Sequence, residues 1–133
     1  MLSANLTELN QLLEAHEFTR RMGLRVLSIG EGECELEVPY RHENDRPDGI
    51  VSGQVSMHAA DVAFWLAIKT QLGLDDGSVT SSMTTAFLGG ARHEALRCRA
   101  KVMKVGRRLI YGWAECRAGE RTVTHHTLTY ARR

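Results

Sequence analysis

The sequence has few of the residues that mark nucleic-acid-binding or membrane-spanning proteins. Aromatic residues make up only 6% of the 133 positions, which counts against a surface that stacks nucleic-acid bases. The 17 Lys and Arg are balanced by 16 Asp and Glu, so the chain lacks the net positive charge that is typical of proteins that bind nucleic acid or anionic membranes. No apolar run approaches the ~18 residues of a membrane-spanning helix. We therefore expect neither a nucleic-acid nor a membrane partner.

Cysteine is also scarce. The three cysteines, Cys34, Cys98 and Cys116, are an odd number, widely spaced and without a Cys-x-x-Cys pair. This pattern excludes a disulfide framework and a zinc site, and it is typical of a reducing compartment. The first residues also lack a basic segment followed by an apolar one, which predicts no signal peptide. We expect a cytoplasmic protein without a bound metal.

Hydrophobic periodicity divides the chain into helical and extended segments. The segment from Ser52 to Leu72 contains no proline and is apolar on nearly every side, as a buried helix is. Ser52 suits its N-cap, and Gly73 suits the position after its last turn. The predicted elements are an amphipathic helix over 2–18 capped by Ser3 or Asn5, strands over 22–32 and 33–38, the long helix, and strands over 79–88, 96–103, 109–116 and 121–130.

This order of elements predicts the fold class. Ordinary globular composition, with 43% hydrophobic and 25% charged residues, excludes a disordered chain. The length of 133 residues suits one domain, over residues 1–133 with an N-terminal helix within 1–20. Short connections between the last strands favour antiparallel pairing. We therefore expect an α+β domain in which one buried helix packs on a curved antiparallel sheet.

Asp61 does not fit its surroundings, because it lies near the middle of the buried helix. A carboxylate there is costly unless hydrogen bonds or a cavity receive it. One interpretation is that Asp61 faces the wetter side of the helix, and the other is that it is functional. His58 lies one turn earlier and can meet Asp61 on the helix surface, as a catalytic pair or as a structural neighbour.

The start of the same helix is the second candidate feature. Ser52-Gly53-Gln54 places a glycine where free backbone N–H groups leave the helix. Such an end can stabilise an oxyanion, and glycine lets a carbonyl approach closely. The alternative is that Gly53 is only a small residue at a crowded helix entry. Together with a carboxylate on the same helix, the motif indicates acyl chemistry.

Other polar groups are less informative. The adjacent His125 and His126 must face opposite sides of a strand, so they do not form one site. A basic cluster near the turn after residue 103 is either a solvated turn or a phosphate contact. Large apolar side chains near the candidate site are either core residues or the lining of an acyl pocket. The basic cluster comprises Lys101, Lys104, Arg107 and Arg108, and the apolar set comprises Met57, Phe64, Trp65 and Phe87.

Several motifs in order carry a family resemblance. DGI, VSG and AAD are followed by SVTSSMTTAFLGGAR, KVMKVGRR and the closing TVTHHTLTYA. Over residues 22–130 this order resembles the hotdog-fold acyl-CoA thioesterases of the phenylacetic-acid-pathway (PaaI-like) type. The resemblance implies a hotdog fold, in which a curved antiparallel sheet wraps a long central helix. It also implies homodimers whose sheets join edge to edge, and often dimers of dimers.

The resemblance assigns catalytic roles to three residues. Asp61 matches the helix carboxylate that acts as general base or nucleophile on the thioester. Gly53 matches the glycine whose N–H holds the thioester oxygen. Thr80 falls where the family often has a Ser or Thr supplied by the partner subunit. On this basis we expect a dimer in which Asp61 and Thr80 come from different chains.

The resemblance also assigns substrate-binding residues, with two departures from the family pattern. The segment from Phe87 to Arg92 matches the approach to the coenzyme A channel, and Arg107 lies in a turn often near the nucleotide. The common His-Gly-Gly is here Ser52-Gly53-Gln54, as in a Ser-Gly variant of the motif. The loop Asn of the family aligns with Arg46, and Asn44 is close to it.

The sequence thus predicts hydrolysis of an acyl-CoA thioester with a small, medium-chain or aryl acyl group. Coenzyme A enters only as part of the substrate, and no other cofactor is expected. The alternative is a non-catalytic module that binds acyl-CoA or an acyl chain in the same cleft. A third interpretation, a dehydratase or hydratase, needs a catalytic His opposite the acid. His58 lies on the same helix as Asp61, so this interpretation ranks last.

Overall fold

The computed structural model describes residues 1–133 and shows a long helix packed against one face of a six-stranded sheet. All neighbouring strands are antiparallel, in the order β1-β2-β4-β5-β6-β3. The predicted α+β class and the hotdog architecture are confirmed. The helices are α1 (Leu6–Ala15), α2 (Glu17–Arg20) and α3 (Gly53–Leu72), and the strands are β1 (Arg25–Gly30), β2 (Glu33–Val38), β3 (Val79–Phe87), β4 (Leu96–Val105), β5 (Leu109–Ala118) and β6 (Arg121–Ala131).

The long helix α3 begins and ends as its sequence predicts. The Ser52 hydroxyl accepts the Gln54 N–H at 3.3 Å, and Gly73 terminates the helix with a φ of 96°. The helix is apolar on nearly every side. One face packs on β2, β4 and β5, and most of its apolar residues are buried. Phe64 is fully buried and therefore belongs to the core. None of the helices combines the length and apolar character that a membrane span requires.

The N-terminal helix is shorter than predicted. Asn5 caps α1, because its side chain accepts the Glu8 N–H at 2.8 Å while the Glu8 carboxylate accepts the Asn5 N–H. The Ser3 N–H instead donates to the carbonyl of Thr70. The helix stops at Ala15 because His16 is extended, and the separate turn α2 follows. This break places the Phe18 ring against α3, 6.2 Å from the ring of Trp65.

The sheet shows the predicted alternation, with differences at its edges. In β4 every other residue from Leu96 to Val102 is buried, and the residues between them are exposed. β3 pairs only with β6, so its other edge carries no partner strand. Most residues of β3 are exposed. The first strand begins at Arg25 rather than at residue 22, because Gly23 turns the chain with a φ of 69°.

The polar residues of the sheet interior follow the same alternation. His126 is fully buried and His125 is partly exposed, so the two lie on opposite faces as predicted. Thr85 and Thr124 place their hydroxyl oxygens 2.8 Å from the two ring nitrogens of His126. The three cysteines are free and buried in the core.

Candidate active site

The Asp61 side chain opens into a cleft of about 250 Å³. The cleft lies between the helices α2 and α3, the start of β3 and the end of β6. The cleft is mostly apolar, and Asp61 is its one charged side chain. Its lining consists of Phe18, Asp61, Val62, Trp65, Ser78, Val79, Thr80 and Tyr130. The Asp61 side chain therefore faces a cleft, and its catalytic role stays a prediction.

Two hydroxyl groups hold the Asp61 carboxylate. Thr80 Oγ1 and Tyr130 Oη each donate to Asp61 Oδ1 at 2.7 Å, and the Tyr130 hydroxyl also lies 3.1 Å from the Asp61 carbonyl. Thr80 and Tyr130 are direct partners in the β3–β6 ladder, so their side chains leave the same face of the sheet. Asp61 Oδ2 accepts no hydrogen bond in the chain and is not enclosed, so it is open to the cleft.

One expectation about this group is wrong. Thr80 was expected to come from a partner subunit, whereas the Thr80 hydroxyl reaches Asp61 of the same chain. The β3 register is the reason, because a bulge between Thr80 and Ser82 leaves Thr80 opposite Tyr130 and turned toward α3. Tyr130 was not predicted at all, since its closeness to Asp61 depends on that register. Burial, followed by the nearby Asp61 charge, raises the pKa of Tyr130, so its hydroxyl remains protonated.

His58 does not form a catalytic pair with Asp61. The two side chains make no hydrogen bond, and the Phe18 ring packs edge-on against the His58 ring with centroids 6.2 Å apart. Burial lowers the pKa of His58, while the Asp61 charge and the Phe18 backbone act in the opposite direction. The buried Nε2 of His58 has no hydrogen-bond partner. His58 therefore favours the neutral form beside the cleft.

The start of α3 forms a second cleft of about 350 Å³. The Gly53 N–H donates to no group in the chain. The Ser52 hydroxyl accepts the Gln54 N–H instead, and the Ser52 carbonyl accepts the Val55 N–H. The Phe87 ring packs so closely on Gly53 that an added Cβ would lie 2.6 Å from its Cε1 atom. A main-chain donor without a partner at a helix start can receive an anionic or carbonyl oxygen.

The two clefts are separate within one chain. Gly53 and Asp61 are eight residues apart on α3, which corresponds to about 12 Å along the axis. No residue lines both cavities. One thioester carbonyl is too small to span that distance. Gly53 and Asp61 of one chain therefore do not act on the same carbonyl, and their joint action in a dimer stays a prediction.

The predicted substrate-binding residues fall into three groups. Arg46, Ser52, Gln54 and Phe87 line the Gly53 cleft, together with Met57. Asn44 lines an adjoining groove with Gln54 and His58.

The last two predicted substrate-binding residues, Arg92 and Arg107, line neither cleft. Arg92 donates to the Asp48 carbonyl at 2.7 Å and so braces the loop before α3. Arg107 lies in the β4–β5 turn, at the end of the sheet where Ile110 pairs with Tyr130. Arg107 lines neither the Asp61 cleft nor the Gly53 cleft, and its contact with a nucleotide stays a prediction.

Comparisons with known proteins identify the family. The model of the thioesterase superfamily matches residues 48–125, more than half of the chain, including Gly53, Asp61 and Thr80. Three solved structures share the fold. A conserved protein from Pseudomonas aeruginosa is 26% identical, with 92% of this chain and 98% of that chain covered and a TM-score of 0.87. Thioesterase superfamily member 2 from zebrafish is 20% identical, with 98% and 100% covered and a TM-score of 0.89.

The third structure is a variant of the phenylacetic acid degradation protein PaaI from Thermus thermophilus. It is 24% identical, with 89% of this chain and 100% of that chain covered and a TM-score of 0.80. The likeness to these structures is one of fold, whereas the family match places the candidate residues within a known enzyme family. That match supports a thioester hydrolase as the general activity. The chain belongs to the thioesterase superfamily and has its hotdog fold.

Proposed function

We propose that this protein hydrolyses acyl-CoA thioesters in a site shared between two chains. Gly53 of one protomer binds the thioester oxygen, and Asp61 of the partner subunit activates the attack on the carbonyl carbon. The observation that carries the proposal is the pair of complementary half-sites on α3. A free oxyanion donor and an open carboxylate oxygen lie about 12 Å apart, too far to meet within one chain.

The chemistry follows from the two groups. As a general base, Asp61 takes a proton from water while the water oxygen bonds to the carbonyl carbon, and the oxyanion is held by the Gly53 N–H. The carbon–sulfur bond then breaks, and coenzyme A leaves as its thiol after taking up the proton. As a nucleophile, Asp61 instead attacks the carbonyl carbon, and the carbon–sulfur bond breaks to give an acyl anhydride and the thiolate of coenzyme A, which takes a proton from water. A second water then hydrolyses the anhydride to the free acid and restores Asp61. Both routes use coenzyme A only as part of the substrate and need no other cofactor.

The cleft around Asp61 suits an apolar acyl group. Phe18 and Trp65 form one wall, and Val62 and Val79 form another. Aromatic and branched side chains in a small cavity favour a medium-chain or aryl group over a charged one. The acyl group therefore lies beside Asp61, and the coenzyme A portion extends out of the cleft.

The free edge of β3 supports a homodimer. Its main-chain groups on one side have no partner strand, and Phe87 at its end is 59% exposed. A second copy joined along this edge by a two-fold axis runs its α3 in the opposite direction. That reversal brings the start of one α3 toward the middle of the other, as the shared site requires.

Mixing two inactive variants tests the shared site. We expect Asp61→Asn and Gly53→Val each to lose thiol release from a panel of short, medium, long and aryl acyl-CoAs. Co-expressed with different tags, the two chains form mixed dimers that contain one intact site and one doubly altered site. Since half of the dimers are mixed, about a quarter of the wild-type activity returns. Gly53→Ala replaces Gly53→Val if the larger side chain prevents folding.

The control is the same co-expression with two Asp61→Asn chains, which restores nothing. No recovery in the mixed dimer, with wild-type chains active, contradicts the shared site. Tight binding of acyl-CoA by the wild-type chain without thiol release favours the non-catalytic binding module instead. Conversion of an enoyl-CoA or a 3-hydroxyacyl-CoA favours a hydratase.

A further inference from the structure

We infer that Tyr130 is a positioning residue that fixes the Asp61 carboxylate by Oδ1 and leaves Oδ2 as the oxygen that reacts. The inference deepens the proposed function and rests on it. It divides the work between two atoms of one side chain, since Oδ1 receives both hydroxyl donors and Oδ2 receives none.

The Tyr130 contact has the geometry of a fixed support. Its hydroxyl lies 2.7 Å from Asp61 Oδ1 and 3.1 Å from the Asp61 carbonyl, so it contacts the same residue at two points. The contact with the main-chain carbonyl places the Tyr130 hydroxyl against the Asp61 backbone, and the contact with Oδ1 opposes rotation of the carboxylate about the Cβ–Cγ bond. With Oδ1 held on the β6 side, Oδ2 is directed into the cleft, where it is open to water or substrate.

Tyr130 is held by the core of its own chain. The Tyr130 side chain is 3% exposed, and its ring packs on the buried Phe64 with centroids 5.3 Å apart. β6 lies between β5 and β3, so hydrogen bonds hold its backbone on both sides. Thr80 lies on β3, which has only one partner strand within the chain, and its side chain is exposed there. Within one chain, Tyr130 is therefore the more firmly held of the two donors.

The electrostatic consequence is also specific. A hydrogen bond donated to a carboxylate favours its charged form, and here two converge on one oxygen. The other ionisable groups that face Asp61 are few. β6 contributes Tyr130, α3 contributes His58, and the walls from α2 and β3 contribute only the Phe18 ring and uncharged side chains. Because burial and the Asp61 charge raise the pKa of Tyr130, its hydroxyl stays a donor throughout the working pH range.

The test removes only the hydroxyl, by Tyr130→Phe. We expect kcat to fall by about tenfold or more with little change in KM, because the carboxylate loses its orientation while the cleft keeps its shape. Thr80→Val removes the second donor to Oδ1 and should also lower kcat with little change in KM. Thr80→Ser keeps that hydroxyl and should retain the wild-type kcat.

A measurement without substrate keeps this test separate from the proposed function. The chain has five aspartates, so carboxyl carbon NMR of 13C-labelled protein can resolve each one at a single neutral pH. Asp61→Asn identifies the Asp61 signal by its loss. We expect the chemical shift of the Asp61 carboxyl carbon to change in Tyr130→Phe, which removes a donor to Oδ1, and to stay unchanged in Tyr111→Phe, which removes an exposed hydroxyl from β5.

The outcomes distinguish the two claims. If the wild-type chain hydrolyses no acyl-CoA, the proposed function fails, and the carboxyl spectrum still decides whether Tyr130 holds the carboxylate. If Tyr130→Phe loses activity but the Asp61 carboxyl signal does not shift, Tyr130 has only a structural role and the inference is overturned. If Tyr130→Phe does not fold, Thr80→Val tests the hydroxyl pair, and an unchanged Asp61 carboxyl signal there also overturns it.

Discussion

The two clefts along α3 differ in how their polar groups are satisfied. At Asp61, a charged side chain is already held by hydroxyls from two neighbouring strands. At Gly53, an uncharged main-chain N–H has no partner, and the Phe87 ring packs against the side of the glycine where a Cβ would lie. A buried charge without partners is far more costly than a free amide at a helix start. The fold can therefore leave the Gly53 donor open, but it has to support Asp61 from within the same chain.

On our proposal, this difference separates two kinds of catalytic contribution. The Asp61 end is preorganised, because the sheet fixes its hydrogen bonds before any substrate arrives. The Gly53 end becomes complete only when a carbonyl oxygen and, on our proposal, a second chain approach it. Changes at the Asp61 end should therefore act on chemistry, and changes at the Gly53 end should act on approach and binding.

The largest expected effect is that of Asp61→Asn on turnover. The amide cannot accept a proton or attack a carbonyl, so we expect kcat to fall by roughly 10²–10⁴-fold. The matched control is Asp75→Asn, an exposed aspartate in the loop after α3, which should retain full activity. Thiol release from the best acyl-CoA measures both. A loss below fivefold for Asp61→Asn would place the chemistry elsewhere.

A smaller effect is expected at the Gly53 end. In Gly53→Ala the new methyl group meets the Phe87 ring, which must move across the cleft, so kcat/KM should fall by up to ~10²-fold. Phe87→Ala removes that ring, and the double variant should lose less activity than the two single effects predict together. Additive losses in this double-mutant cycle would show that Phe87 does not mediate the effect of Gly53→Ala.

The third prediction concerns stability beneath the Asp61 end. A Cβ at Gly112 would overlap the Lys101 carbonyl and lie 2.5 Å from the Phe64 ring, which packs on Tyr130. We expect Gly112→Ala to lower the free energy of unfolding by about 1–3 kcal/mol. Gly77→Ala is the matched control, since open space surrounds that position. Urea titration of both variants measures the difference, and equal midpoints would contradict the close packing.

Most of the fold could be predicted from sequence because its signals are local. The apolar pattern on all sides and the Ser52 cap predicted the bounds of α3 to within one residue. The alternation of buried and exposed residues predicted the strands β2 and β4. The N-terminal helix was predicted too long, because apolar spacing continues past the capping box and through the break at His16. Spacing alone does not distinguish one helix from two short ones.

The candidate site could be predicted only in part, because half of it depends on register. Asp61 was found because a carboxylate is out of place in an apolar helix, and Gly53 because a helix start has free donors. Tyr130 carried no such signal, since a tyrosine in a strand is ordinary and its partner is set by the bulge in β3. The same bulge orients the Thr80 hydroxyl so that it donates to Asp61 of its own chain.

The smallest effect is a pH dependence of stability at His58, which lies between the two clefts. Burial lowers the pKa of His58 below its ordinary value of 6.5, so the unfolded chain takes up this proton at higher pH than the folded chain does. As the pH falls below 6.5, protonation therefore favours unfolding, and the stability present above that pH is progressively lost. We expect His58→Gln to lose less stability than the wild-type chain between about pH 7.5 and pH 5.5.

The control for this prediction is His16→Gln, an exposed histidine at the start of α2, which should keep the wild-type slope of melting temperature against pH. A flattened slope in His58→Gln alone assigns the effect to the buried ring, because other acid-titrating groups are common to all three proteins. An unchanged slope would mean that the Asp61 charge offsets the burial of His58 in full. The carboxylate would then stabilise the protonated ring, and the electrostatic influence of the Asp61 end would reach toward the Gly53 end of the helix.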